Sequence, residues 1–229
     1  MATLLAISHG TGDRAGQAAV AALVAAVAER LPDADVRLGH VDVQQPDVPA
    51  ALAALPARPV TLVPLLLSAG YHVRVDLTRA IAQRGDVTIA PALGPDPRLV
   101  DVLLTRLADA GHGAGVEAAD VVLAVAGSSD ERANEDCRTV ARLLAGRLGR
   151  PVRVGFLAAA EPRLRAAVAD ARASGRPVIV ATYLLAPGYF HDLAVREAAG
   201  AVVARPLLDA DPPAPALVEL VVDRYRSAI

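Results

Sequence analysis

The chain has no lysine and no tryptophan, one cysteine, two phenylalanines and four tyrosines in 229 residues. A single cysteine, Cys137, rules out an intrachain disulfide and fits a reducing compartment. So few rings leave little for stacking on nucleic-acid bases. With a net charge of -2 and no basic stripe, a nucleic-acid surface is excluded as a working expectation. No apolar run approaches the ~20 residues of a membrane span. The opening MATLLAISHG lacks a basic leader segment and a cleavage-like site, so it reads as a strand and not as a signal peptide. The expectation is a cytoplasmic protein without membrane or nucleic-acid partners. All positive charge is carried by arginine, which reflects compositional bias and also suits bidentate grip on carboxylates.

What is present is aliphatic. Hydrophobic residues make up 54% of the chain, enough for a sizeable core of Ala, Val and Leu without disulfides or structural metal. Short β-branched runs alternate with longer amphipathic ones. The pattern predicts strands at Thr3–Ser8, Val36–Val43, Pro59–Leu67 and Val87–Ala90. It predicts helices at Arg14–Leu31, Val48–Leu55, Val73–Arg84 and Arg98–Ala110. This β-α-β-α-β-α-β-α order is that of an α/β fold with a parallel sheet covered on both faces.

The pattern then repeats. Strands are predicted at Asp120–Ala126, Val152–Ala158, Pro177–Leu185 and Ala201–Arg205, and helices at Glu131–Leu148, Arg163–Ala173, Leu193–Ala199 and Pro215–Ser227. The letters repeat too. PVTLVPLLLSAGYH at 59–72 lies over PVIVATYLLAPGYF at 177–190, VRLGHVDVQQP at 36–46 over VRVGFLAAAEP at 152–162, and LAISHG at 5–10 over VLAVAG at 122–127. A near-constant offset of this kind marks an internal duplication. The expected organisation is two tandem, doubly wound domains, 1–113 and 114–229, joined at the glycine-rich AGHGAGVE and separated by a cleft.

Parallel sheets of this type bind ligands beyond the carboxyl ends of their strands. In the first half those ends carry His9, Asp42 and His72; the matching positions of the second half are Ala126, Ala158 and Phe190. What both halves share reads as fold, and what one half alone has reads as chemistry. Imidazole binds divalent metals and accepts protons near neutrality. Two histidines and a carboxylate would hold a metal while leaving coordination positions open. His40 aligns with Phe156 and is expected in packing, His112 lies in the linker, and His191 reads as a helix-start or surface residue. Cys137 is expected as a buried structural thiol.

The motifs LLAISHGTGD at 4–13, GHVDVQQPD at 39–47, VTLVPLLLSAGYHVRVDL at 60–77 and GSSDERAN at 127–134 resemble those of the sirohydrochlorin chelatase family, the two-domain class II chelatases. The resemblance runs through nearly the whole chain. It implies insertion of a divalent metal into a carboxylate-rich tetrapyrrole, with iron or cobalt as the metal and nickel a third option. It implies that His9 and His72 bind metal and accept pyrrole protons, that Asp42 stands where the family commonly has Glu, and that no organic cofactor is needed. Candidates for holding the ring are Ser8, Gly10, Thr11 and Arg14 after the first strand and Ser68, Gly70, Tyr71 and Arg74 after the third. In the second half they are Gly127 and Ser128, with Arg132 beyond them. Tyr71 recurs as Tyr189, which favours packing for that position. A fused two-lobed chain can make its cleft alone, so a monomer is expected.

Two rival readings differ in testable ways. A histidine phosphatase would need Arg before the His-Gly pair, where this chain has Ser8. A non-catalytic metal or tetrapyrrole carrier would bind once and not turn over.

Overall fold

The computed structural model describes residues 2–56, 58–68, 70, 77–82, 84–111 and 118–228. Its elements follow the duplicated pattern. The first half contains β1 (Ala2–Ser8), α1 (Arg14–Arg30), β2 (Ala34–His40), α2 (Val48–Ala53), β3 (Val60–Pro64), β4 (Val87–Ile89) and α3 (Pro97–Gly111). The second contains β5 (Asp120–Val125), α4 (Glu131–Leu148), β6 (Val152–Phe156), α5 (Leu164–Arg172), β7 (Val178–Tyr183), α6 (Tyr189–Glu197), β8 (Val202–Val203) and α7 (Pro215–Arg226). Residues 77–81 are helical, within the stretch expected to form a helix; residues 73–76 and the linker residues 112–117 lie outside the described residues.

Each half forms one four-stranded parallel sheet, ordered β2-β1-β3-β4 and β6-β5-β7-β8. The central strands are apolar along their length and buried on both faces, as parallel sheets require. Alternate residues of each strand serve different cores. Leu5, Ile7 and Leu62 face an outer cluster with α2 and Leu77, while Val122, Ala124 and Val180 face an outer cluster with α5 and α6. Leu4, Ala6, Val63, Val121, Leu123 and Ile179 face one common core that includes α1, α3, α4 and α7. The two halves are thus joined through a single apolar interior.

The last helix of each half crosses to the other. α3 packs against α4, β7 and β8 of the second half, and α7 packs against α1 and β3 of the first. Each crossing helix carries an arginine that grips the opposite half. From α3, Arg106 donates to Leu207 O (3.2 Å) and pairs with Asp209 (3.1 Å). From α7, Arg224 donates to Ala92 O (2.9 Å) and Leu93 O (3.0 Å) and pairs with Asp96 (3.2 Å). Leu93 and Leu207 hold equivalent places, since their amides bond to Leu66 O and Leu184 O after β3 and β7. Guanidiniums thus cross in both directions: Arg224 satisfies two carbonyls and hydrogen-bonds Asp96, whereas Arg106 satisfies one carbonyl and its Nε and Asp209 Oδ2 are buried without a hydrogen bond.

Among the described residues, no helix is long and apolar enough to cross a membrane.

Candidate functional site

The turns that follow β1 and β5 build the two sides of the site, and they are built alike. β1 pairs with β2 up to Ser8 opposite His40. The pairing continues beyond the strands, with Val41 N donating to Ser8 O and Asp42 N to His9 O, both at 2.9 Å. In the second half Leu157 N donates to Val125 O (2.9 Å) and Ala158 N to Ala126 O (2.8 Å). Ala126 therefore stands where His9 stands, and Ala158 where Asp42 stands, as the repeat predicts.

Gly10 and Gly127 come next, at φ +94° and +85°. A Cβ on either would lie 1.9 Å from a carbonyl oxygen, that of Asp42 or Ala158. These glycines are required by backbone approach, which explains why both halves keep them. Thr11 and Ser128 then brace the residue that caps the next helix, their hydroxyls accepting from Asp13 N (3.1 Å) and Asp130 N (3.0 Å). In the second half one amide holds this turn: Asn134 accepts from Ser128 N and donates to Ser128 O, both at 2.9 Å. In the first half two side chains share the task, Gln44 accepting from Thr11 N (2.9 Å) and Gln17 donating to Thr11 O (2.8 Å).

The halves meet turn against turn. A Cβ on Gly188 would lie 3.1 Å from Thr11 Oγ1, and one on Gly70 3.4 Å from Ser128 Oγ. One on Gly16 would lie 2.3 Å from Pro187 O. Between the carboxyl ends of β1, β3, β5 and β7 these contacts leave a cleft of about 450 Å³. Its lining includes His9, Gly10, Thr11, Val43, Leu65–Ser68, Gly127, Ser128, Asn134, Cys137, Tyr183 and Leu184–Phe190. His9 is the only imidazole among the described lining residues, and no Asp, Glu or Arg stands with it.

Several candidate residues meet here and several do not. Ser8, His9, Gly10, Thr11, Ser68, Gly127 and Ser128 line the cleft. His9 is exposed to it, whereas the Ser8 hydroxyl is buried and spent on His40 Nδ1 at 2.8 Å. Gly70 sits beside Ser128 at the edge. Asp42 is next to His9 through the backbone but exposed, outside the lining, with Oδ1 accepting from Val43 N at 2.7 Å. Arg14 and Arg132 are exposed at the starts of α1 and α4, outside the lining. His72, Tyr71 and Arg74 lie outside the described residues. Among the described residues, no three His, Cys, Asp or Glu side chains gather as a metal cage.

His40 is buried, as expected, and burial holds its imidazole below the ordinary value. His191 lies in the first turn of α6, outside the cleft lining. Cys137 lies at the cleft floor, 6% exposed. Burial pushes its thiol up to about 12, helped by Asp136 and opposed by a hydrogen bond from Ser68 and the charge of Arg138. A thiol held protonated is a poor metal ligand or nucleophile. Beside it Tyr183 is 2% exposed, its hydroxyl donating to Leu67 O at 2.9 Å, and its phenol is raised by burial above all.

Tyr183, Asn134, Tyr189 and Phe190 also line the cleft, and none of them stands among the candidates drawn from the sequence. The repeat favours packing or fold for the Tyr71/Tyr189 position. Tyr189 is instead 68% exposed on the cleft lining.

The CbiX family profile matches residues 3–110 and again 120–228. Among solved structures, SirB from Bacillus subtilis with Fe3+ is 23% identical with a TM-score of 0.79, covering 99% of this chain and 94% of that one. The sirohydrochlorin chelatase SirB from Bacillus subtilis subspecies spizizenii, in complex with cobalt, is 18% identical at 0.75, with coverages of 99% and 94%. CbiX, described as the terminal enzyme of sirohaem biosynthesis in denitrifying bacteria, is 24% identical at 0.70, covering 99% of each chain. At these identities the likeness shows the shared fold. No curated protein sequence matches the chain.

Proposed function

We propose, from the premise that this chain belongs to the CbiX family, that it inserts a divalent metal, iron or cobalt, into sirohydrochlorin. The observation that carries the reading is His9: an exposed imidazole at the lip of a cleft between two like halves, with the alanine Ala126 in its place on the other side. The repeated turn gives both positions the same backbone, so the imidazole is not needed to make the fold.

The chemistry follows from the ligand set. Insertion needs a metal held briefly, two pyrrole N–H protons removed, and the product released. Imidazole can serve both metal and proton. In this reading His9 and His72 hold the metal and receive the protons. Asp42, adjacent to His9, keeps one carboxylate oxygen beyond its bond to Val43 N for a metal or for an approaching imidazolium. In this reading the ring lies against a largely apolar lining, and the water it displaces there strengthens these interactions. The turns before α1 and α4 spend their amides on Gln44, Thr11, Asn134 and Ser128, and Asp13 and Asp130 cap the helices, so the ring's carboxylates are left to other partners. The charge of those carboxylates falls at the cleft rim, where Arg14 and Arg132 are exposed.

The test is anaerobic turnover: purified protein, sirohydrochlorin and Fe2+ or Co2+, followed by the ring's visible absorption. The reading expects many turnovers above the spontaneous rate, lost in His9→Ala. Binding of the ring without turnover would make the protein a carrier and overturn the chelatase assignment. The ratio of the iron and cobalt rates assigns the metal.

A further inference from the structure

We propose that Tyr189 and Phe190 form the seat for the flat face of the tetrapyrrole, so that the second half supplies the seat and the first half supplies the metal ligand. This rests on the chelatase reading and adds to it the residues that position the ring. Large apolar side chains are seldom exposed among those described. Among the described residues the exposed ones are Val43, Leu143, Tyr189, Phe190, Val195 and Val202. Three of the six, Val43, Tyr189 and Phe190, line the one cleft that also holds His9. Exposed apolar surface gathered at one cleft marks a surface made to be covered.

The geometry suits a disc. Tyr189 and Phe190 begin α6, directly after Gly188, which abuts Thr11 of the His9 turn. The pair is therefore anchored against the turn that carries the imidazole. The two rings lie 5.5 Å apart at 72°, so a planar macrocycle can lie flat on one and meet the edge of the other, both favourable for aromatic contacts. The described lining offers no charged partner for a carboxylate inside the cleft. The ligand that fits is conjugated and apolar on its faces and acidic only at its edge, with the edge turned outward to water and to the exposed Arg14 and Arg132. The sequence match points the same way: Phe190 occupies the place of His72, an apolar ring where the first half has a ligand.

The experiment titrates metal-free sirohydrochlorin into the full chain anaerobically, then measures KM and kcat for cobalt insertion. The variants are Tyr189→Ala with Phe190→Ala, the two single changes, Tyr189→Phe and His9→Ala. The seat predicts a ring affinity about tenfold weaker in the double variant, a matching rise in KM with kcat little changed, and recovery in Tyr189→Phe. His9→Ala should bind the ring as wild type does. Both aromatics are solvent-facing, so a melting curve like that of wild type establishes that the variants fold. Ring affinity in the double variant within twofold of wild type would overturn the seat while leaving the chelatase reading intact. Wild type that binds no ring overturns both. A ligand-free wild type that sediments as a dimer, with the double variant monomeric, would assign the pair to contact between copies of the chain and overturn the seat.

Discussion

The rims of the two halves share a backbone and differ in what they present. Each has a strand end, a glycine at positive φ pressed onto a carbonyl, and an Asp N-cap braced by a hydroxyl two residues before it. On that common frame the first half places His9 and Asp42, and the second places Ala126 and Ala158. Duplication therefore acts as an internal control. Features kept on both sides are the requirements of the turn, and features on one side only are free of that requirement. The same contrast holds beneath the rim: Ser8 and His40 form a buried hydrogen bond where Val125 and Phe156 are apolar.

The comparison can be broken most sharply at His9. His9→Ala should lower metal insertion at least 100-fold, about 2.7 kcal/mol of barrier, with little change in melting temperature. Placing histidine at the equivalent site of that variant, Ala126→His, should restore less than about a tenth of the lost rate, because Ala158 stands where Asp42 would. Full restoration in the anaerobic insertion assay would show the halves to be functionally equivalent.

The glycines should behave in the opposite way. Gly10→Ala and Gly127→Ala each drive a Cβ onto a carbonyl oxygen at positive φ, and each should destabilise by about 2 kcal/mol or more, lowering Tm by roughly 4–8 °C. Similar losses in the two halves by calorimetry would support a shared structural role, and a loss confined to Gly10 would contradict it.

The crossing arginines come next. Arg106→Ala orphans one carbonyl across the halves and Arg224→Ala two. The carboxylates left behind keep other partners, Arg205 for Asp209 and Arg98 for Asp96. Each change should cost about 2 kcal/mol in denaturant unfolding. A negligible effect of one would show that the clasp is carried by the other.

The smallest effect is expected at Ser8 and His40. Burial lowers the His40 pKa from 6.5 in the folded chain, so in the pH interval below that value the unfolded state binds more protons. Its contribution is full above about 6.5 and is lost as pH falls from there through the folded value. Ser8→Val with His40→Phe copies the second half. It should change stability by no more than about 1.5 kcal/mol at pH 8 and flatten the fall in Tm between about pH 7 and 5. An unchanged slope would assign the pH dependence to other groups.

Much of the fold was legible in the letters because strands buried on both faces read as apolar runs and helices as amphipathic ones. α4 runs as predicted, Glu131–Leu148. Errors fell where no local signal exists. β2 was expected to reach Val43 but ends at His40, because the chain turns through residues 41–46 to bring Pro46 O to His40 N at 3.0 Å. α6 begins at Tyr189, four residues before the predicted start, since its N-cap Gly188 makes no side-chain capping bond that would mark the entry. In the site, the repeat alone picked out His9 and its missing counterpart. It favours packing or fold for Tyr189, whose side chain is exposed, because identical letters at matching positions say nothing about which face meets water.

The sequence by itself determined the two βα repeats, their parallel strands and the asymmetry of the strand ends, since each of these is written in local periodicity and in aligned letters. Only the tertiary structure decided that α3 and α7 exchange places, that Arg106 and Arg224 clasp opposite halves, and that Tyr189 and Phe190 stand open beside His9. The reason is physical. An amphipathic helix can cover either of two similar sheets with nearly the same gain from burial. The choice between them, and the cleft it creates, is made by packing between residues far apart in the chain.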